Sequence, residues 1–239
     1  MKFLSAVAAL TLLAAIGATA QTTNALSDAE IQGRQLAQKL LDQQPTESFT
    51  NIGVHQIRDG GLQKEVPLRC ETVVTPTNWY IFYSAGADTI KISHYGFGRD
   101  NEYEFHTEDG KESNPSGNDL MVSFAGSDFW LADLGLEFLH WPGQKILRGD
   151  TARGRLCKVL ESTNPNPSTN GYSRVLCWID NEALGIVEAK AYDAQGKLLK
   201  EFYPKDIKKV DGQWQVGSME IDNVQTGSRT RLEFDLQSK

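Results

Sequence analysis

From Val54 to the C-terminus the chain is a succession of short alternating segments, each ended by a turn signal, and that rhythm leaves few folds open. Val66, Leu68, Cys70, Thr72 and Val74 alternate with Pro67, Arg69, Glu71 and Val73. Strand patterns follow over residues 79–83, 89–95 and 103–107. They resume at Ile146 and run through 156–161, 172–179, 184–192, 198–203, 213–224 and 228–236. Asp59-Gly60-Gly61 is a hairpin signal. Ala194-Gln195-Gly196, Asp211-Gly212 and Thr226-Gly227 are further turns, and residues 108–118 form a polar loop. A spacing of about ten residues per strand predicts one large antiparallel sheet.

Two segments break the rhythm. Ser27 with Glu30 three residues on is a capping box, and Ile31, Leu36, Ala37, Leu40 and Leu41 give a helical stripe to about Gln44, before Pro45. Residues 127–141, SDFWLADLGLEFLHW, predict short helical turns with bulky apolar groups on several sides, ending at Pro142-Gly143. A one-sided sheet must be covered, and these two segments are the available covers. The expected fold is mainly β (α+β), one domain over residues 21–239, with an N-terminal helix and short central helices over the sheet.

Residues 1–20 have the form of a cleavable secretory signal. Lys2 is the positive start, residues 3–16 are apolar apart from Ser5 and Thr11, and Ala18-Thr19-Ala20 is the cleavage site. The mature chain is expected to begin at Gln21, which N-terminal sequencing of exported protein reads directly. Its expected location is the periplasm or another exported compartment. The apolar run falls short of the roughly 20 residues a membrane helix needs, and no other segment comes closer. Without Lys2, 23 of the 24 basic side chains remain against 31 acidic ones, a formal charge of -8. Such a chain has no long-range attraction to nucleic acid or anionic lipid and is expected to be a monomer.

Chemistry-bearing motifs are sparse. There is no G-x-S-x-G, no H-E-x-x-H and no phosphate loop, so no cofactor, metal or catalytic residue is assigned and no enzyme is expected. His55, His94, His106 and His140 lie on separate segments and are taken as ordinary rim or surface histidines, with a His and carboxylate hydrolytic site as the rival reading. Lys197, Lys200, Lys205, Lys208 and Lys209, interleaved with Glu201 and Asp206, are taken as the solvated face of a hairpin. Three cysteines have no zinc spacing. Opposing Val159 to Val175 across the hairpin sets Cys157 opposite Cys177, so a disulfide is expected there, with Cys70 a buried free thiol.

The strongest signal is apolar. Trp79, Ile81 and Tyr83 share one face of a strand, and Ile90 and Ile92 one face of the next. With Phe129, Trp130, Leu134, Phe138 and Trp141 they either line a hydrophobic ligand cavity or fill a core; the pattern is the same for both.

Residues 124–162 and 172–235 resemble the LolA-like family of outer-membrane lipoprotein-sorting proteins. The resemblance rests on Gly126-Ser127-Asp128-Phe129 with Asp133-Leu134, on Gly154-x-x-Cys157-x-Val159-Leu160, and on Cys177-Trp178-Ile179-Asp180. It continues through Tyr192-Asp193-x-x-Gly196-Lys197-x-x-Lys200, Gly212-x-Trp214, Met219-Glu220-Ile221 and Thr230-x-Leu232-Glu233-Phe234. It implies an open or half barrel plugged by helices, with a concave side that holds acyl chains of lipoproteins or free lipid. No functional residue is carried over from it. The expected partner is therefore a hydrophobic ligand or a lipidated protein. A sensor or interaction module on the same fold, and a hydrolase, are the alternatives.

Overall fold

In the computed structural model, the Ser27 hydroxyl accepts from the Glu30 amide at 3.4 Å, and the Glu30 carboxylate accepts from the Ser27 amide at 2.7 Å. This reciprocal cap starts helix α1 (Asp28–Leu41), which stops at Leu41 rather than near Gln44. The structure describes residues 25–96, 98–107, 109–210 and 213–236, so the signal segment and its cleavage site lie outside the described residues. Helix α1 buries Gly33, Leu36 and Ala37, whereas Ile31, expected in the stripe, is exposed.

The chain then meanders outward through β1 (Phe49–Asp59), β2 (Leu62–Val74), β3 (Trp79–Ala85), β4 (Asp88–His94), β5 (Glu102–His106) and β6 (Glu112–Ser113). The first turn is Gly60-Gly61, both at positive φ (52° and 88°), which a two-residue hairpin requires. A long crossing segment follows, with a 3-10 turn at Gly117–Leu120, helix α2 (Leu131–Leu134) and a second 3-10 turn at Glu137–Leu139. It delivers the chain to β7 (Gly143–Ala152), at the opposite edge of the sheet. From there β8 (Arg155–Thr163), β9 (Arg174–Asp180), β10 (Ile186–Tyr192), β11 (Leu198–Val210), β12 (Gln213–Asn223) and β13 (Arg229–Asp235) meander back. Strand β13 pairs with β1 from Ile52↔Asp235 to Arg58↔Arg229, joining the halves into one antiparallel sheet of order β6-β5-β4-β3-β2-β1-β13-β12-β11-β10-β9-β8-β7. The sheet is curved and unclosed, an open half-barrel, and residues 114–142 bridge its two edges as a cover.

Alternation sorts the two faces. Val66, Leu68, Cys70 and Thr72 of β2 are buried on one face, as the sequence predicts. The concave side and its covers share one core cluster. A second cluster, Ala152, Cys157, Val159, Leu176 and Trp178, lies apart from it on the other side of β8 and β9.

The expected Cys157–Cys177 disulfide is overturned by the register. Strand β8 pairs with β9 as Leu160↔Cys177 and Cys157↔Asp180, a slip of three residues from the expected pairing. An odd slip puts the two cysteines on opposite faces of the sheet. Cys177 points into the core cluster, Cys157 into the outer one, and both are free thiols. Val159 and Leu160 are adjacent and both fully buried, so alternation along β8 does not reveal which face meets the core. Cys70 is a buried free thiol, as expected, and burial pushes its pKa up to about 12.

Candidate functional site

The cover is long for a connection, and its own sequence gives it little regular structure. Helix α2 is one turn, with the Asp133 carboxylate accepting the Trp130 amide at 2.8 Å. Leu136 then sits at φ 49°, a left-handed kink that a branched side chain rarely adopts, and it turns the chain into Glu137–Leu139. Gly135 is needed beside it, because a Cβ there would lie 2.1 Å from the Tyr103 hydroxyl. Apolar side chains hold the cover down. Phe124, Phe129, Leu131, Phe138 and Leu139 are each no more than 3% exposed.

Four polar latches tie this cover to the sheet. At the first, Lys200 on β11 is fully buried and donates to the Asp128 carbonyl at 2.6 Å and the Asp133 carboxylate at 3.4 Å. Its ammonium also lies 3.5 Å from the Trp130 ring centroid, a cation–π contact, and the Tyr172 hydroxyl donates to Asp133 at 2.8 Å. At the second, Asp128 accepts from the Thr230 hydroxyl at 2.9 Å and the Ser228 hydroxyl at 2.5 Å. At the third, the Tyr103 hydroxyl donates to Glu137 at 2.9 Å and the Asn101 amide donates to the Gly135 carbonyl at 2.9 Å. At the fourth, the Gln144 amide donates to the carbonyls of Phe138 and Trp141, each at 2.9 Å, while Ser162 donates to its oxygen at 2.8 Å.

Burial strains the charges in these latches. It lowers the Lys200 pKa to about 8, against the opposing pull of Asp133. It raises the Glu137 pKa to about 7, although Tyr103 donates to that carboxylate. His55 and His94 are each pushed down to about 4 by burial. His55 is fully buried, with its ring 5.9 Å from Phe129 and 6.0 Å from Phe124, and neither ring nitrogen finds a hydrogen-bond partner among the described residues.

The apolar residues named from the sequence fall into two groups. Strand pairing sets Tyr83 opposite Ile90, Ile81 opposite Ile92 and Trp79 opposite His94, with the Trp79 ring stacked on His94 at 3.9 Å. Ile90 and Ile92 are fully buried, and Tyr83 meets the cover through Phe124. The cover residues lean toward the other half of the sheet, Trp130 onto Tyr172 at 4.6 Å and Phe138 toward Phe202 at 6.0 Å. Phe129, Phe138 and Trp141 are buried in the shared core, and Leu134 packs against it half-buried. Two cavities lie elsewhere. One of about 330 Å³ sits between α1 and the ends of β8 and β9, lined by Leu36, Lys39, Lys158 and Asp180 among others. The other, about 810 Å³, opens outside β5 and β6 beside Glu104, His106 and Glu112.

The latches themselves were missed. Composition groups Lys200 with the solvated lysines, yet it shares a strand face with Phe202, and period-two counting along β11 carries that signal. One histidine departs from the expected rim or surface position: His55 is in the core, whereas His94 and His140 are half-buried and His106 is exposed. Among the described residues no group of three His, Cys, Asp or Glu side chains is placed to hold a metal. No helix among them is long and apolar enough to cross a membrane.

A family model described as "Uncharacterized protein" matches residues 84–237, more than half of the chain. Among curated proteins nothing matches. Solved structures do. A DUF1329 family protein from Desulfovibrio piger superposes with a TM-score of 0.72 at 20% identity, covering 87% of this chain and 92% of that one. A putative outer membrane lipoprotein-sorting protein domain from Vibrio parahaemolyticus gives a TM-score of 0.73 at 17% identity, with the same coverage of 87% and 92%. A LolA superfamily protein from Nitrosomonas europaea gives 0.60 at 14% identity, covering 89% and 94%. At these identities the likeness is one of fold, and it spans nearly the whole of each chain.

Proposed function

The chain belongs to the family whose model spans residues 84–237 and has the LolA-like fold, and on that premise we propose that the mature protein is an exported carrier that lifts its cover to hold a hydrophobic ligand on the concave face of the sheet. The observation that carries this reading is the construction of the cover. It is a single crossing segment with one turn of α-helix, packed on an apolar wall and fixed by a few separable polar latches. A segment with so little internal structure leaves the wall without dismantling the sheet, whose strands pair among themselves.

The energetics are compatible with exchange of cover for cargo. Each latch hydrogen bond contributes about 1 kcal/mol net, because water replaces it on opening. The apolar wall exposed by opening is what an acyl chain covers, at about 0.8 kcal/mol for each buried CH₂. A chain of ten or so methylenes returns about 8 kcal/mol of this, set against the lost latches and the entropy of binding. The ligand on this reading is the acyl part of a lipidated protein or a free lipid, and the protein holds it without transforming it. Among the lining residues are Tyr83, Ile90 and Ile92 on the strands and Phe129, Trp130, Leu134 and Phe138 on the cover. The direct test is titration of the mature protein with a fluorescent fatty acid. Saturable binding that weakens in Leu134→Ala, in a variant shown to be folded, is the expected result. An absence of saturable binding rules the carrier out.

A further inference from the structure

The wall beneath the cover is not purely apolar, and its polar groups bear on what the ligand is. Lys200 is fully buried, and its register partners on the neighbouring strands are Ala191 and Asn223, neither of which carries a charge. Its two hydrogen-bond acceptors, the Asp128 carbonyl and the Asp133 carboxylate, both belong to the cover, and so does the Trp130 ring on which it lies. Lifting the cover therefore removes the cation's acceptors and its counter-charge in one step. An ammonium left against Ala191 and Phe202 with hydrocarbon laid over it is among the most unfavourable arrangements a protein can adopt. A second polar group waits on the same wall. His55, whose ring stacks on Phe129 next to Asp128, has both ring nitrogens unpaired among the described residues. A cargo of hydrocarbon alone answers neither group.

We propose that the ligand is an amphiphile with an acidic headgroup, a carboxylate or a phosphate, which takes Lys200 as its counter-ion in place of Asp133 while its acyl part covers the apolar wall. The inference rests on the carrier reading and narrows it. The headgroup restores to Lys200 the charge-assisted contacts that the cover supplies in the closed state. The Lys200 side chain is then both closing latch and headgroup anchor, and the closed cover mimics the ligand: Asp133 for the acid, Leu131 and Phe138 for the chain.

The test compares a fatty acid, an alkyl phosphate and the uncharged alcohol of the same chain length as competitors of Nile red bound to the mature protein at neutral pH. The expected result is that an acid competes about tenfold or more better than the alcohol. The two acids distinguish the source of the headgroup: preference for one over the other names it. In Lys200→Met the acid should lose its advantage and compete no better than the alcohol, whatever the loss of this latch does to both. The double variant Lys200→Met with Asp133→Asn avoids stranding a buried carboxylate, and circular dichroism confirms its fold. If the alcohol competes as well as the acids in the wild-type protein, the headgroup inference is wrong and the carrier reading stands. If Nile red does not bind and no competitor binds by calorimetry, the carrier reading itself fails.

Discussion

Glu137 shows how one residue couples the cover to its surroundings. Burial raises its pKa to about 7 from an ordinary 4.5, with Asp100 adding to the rise and the Tyr103 hydroxyl opposing it. A carboxyl whose folded pKa is raised binds its proton more tightly in the folded state. The closed fold therefore gains stability from this group as pH falls from about 7 toward 4.5, and carries the full penalty above 7. His55 and His94 act in the opposite sense: with folded pKa values near 4, they withdraw stability as pH falls below their usual 6.5. These histidine contributions cancel when wild type is compared with Glu137→Gln. The variant should be more stable than wild type by roughly 2–3 kcal/mol above about pH 7, and this advantage should vanish near pH 4.5. Chemical denaturation at several pH values measures it, and a pH-independent difference would refute the assignment. Glu137 is not legible in the sequence, and Lys200 only through its period-two spacing from Phe202. Their side chains look solvated by composition, and only the path of the cover across the sheet buries them.

At the scale of elements, Gly33 fixes how α1 meets the sheet. A Cβ at this position would lie 2.5 Å from the Lys145 amide nitrogen and 2.6 Å from the Gln144 carbonyl carbon, both backbone atoms of β7 that cannot step aside. Helix propensity alone favours alanine over glycine by up to about 1 kcal/mol. Steric displacement of the helix is expected to outweigh that gain, so Gly33→Ala should lower stability by about 1–3 kcal/mol in thermal melts. A more stable variant would mean that α1 does not pack this closely. The elements themselves were the most legible part of the chain. The Ser27 and Glu30 cap, the Gly60-Gly61 turn and the alternation of β2 each act locally, so each is visible locally. The register of β8 against β9 is a tertiary choice. With Val159 and Leu160 both apolar, alternation lets either face of β8 meet the core, so it does not fix which residue of β9 faces Cys157.

For the whole molecule, sequence rhythm announced a large antiparallel sheet and two covers, but not the order of its strands. That order depends on β13 returning to β1, a contact between segments at opposite ends of the described chain. Once it forms, the crossing segment must span the concave face from β6 to β7, and the cover follows from the topology. The central claim is that this cover is the moving part. Hydrogen exchange of the mature protein, with and without a saturating fatty acid, tests it most directly. The Asp128 amide, held by Thr230 of the sheet, should exchange faster with ligand bound, while the paired amides of β12 and β13 keep their protection. Saturable binding with the exchange of the cover unchanged would contradict the account.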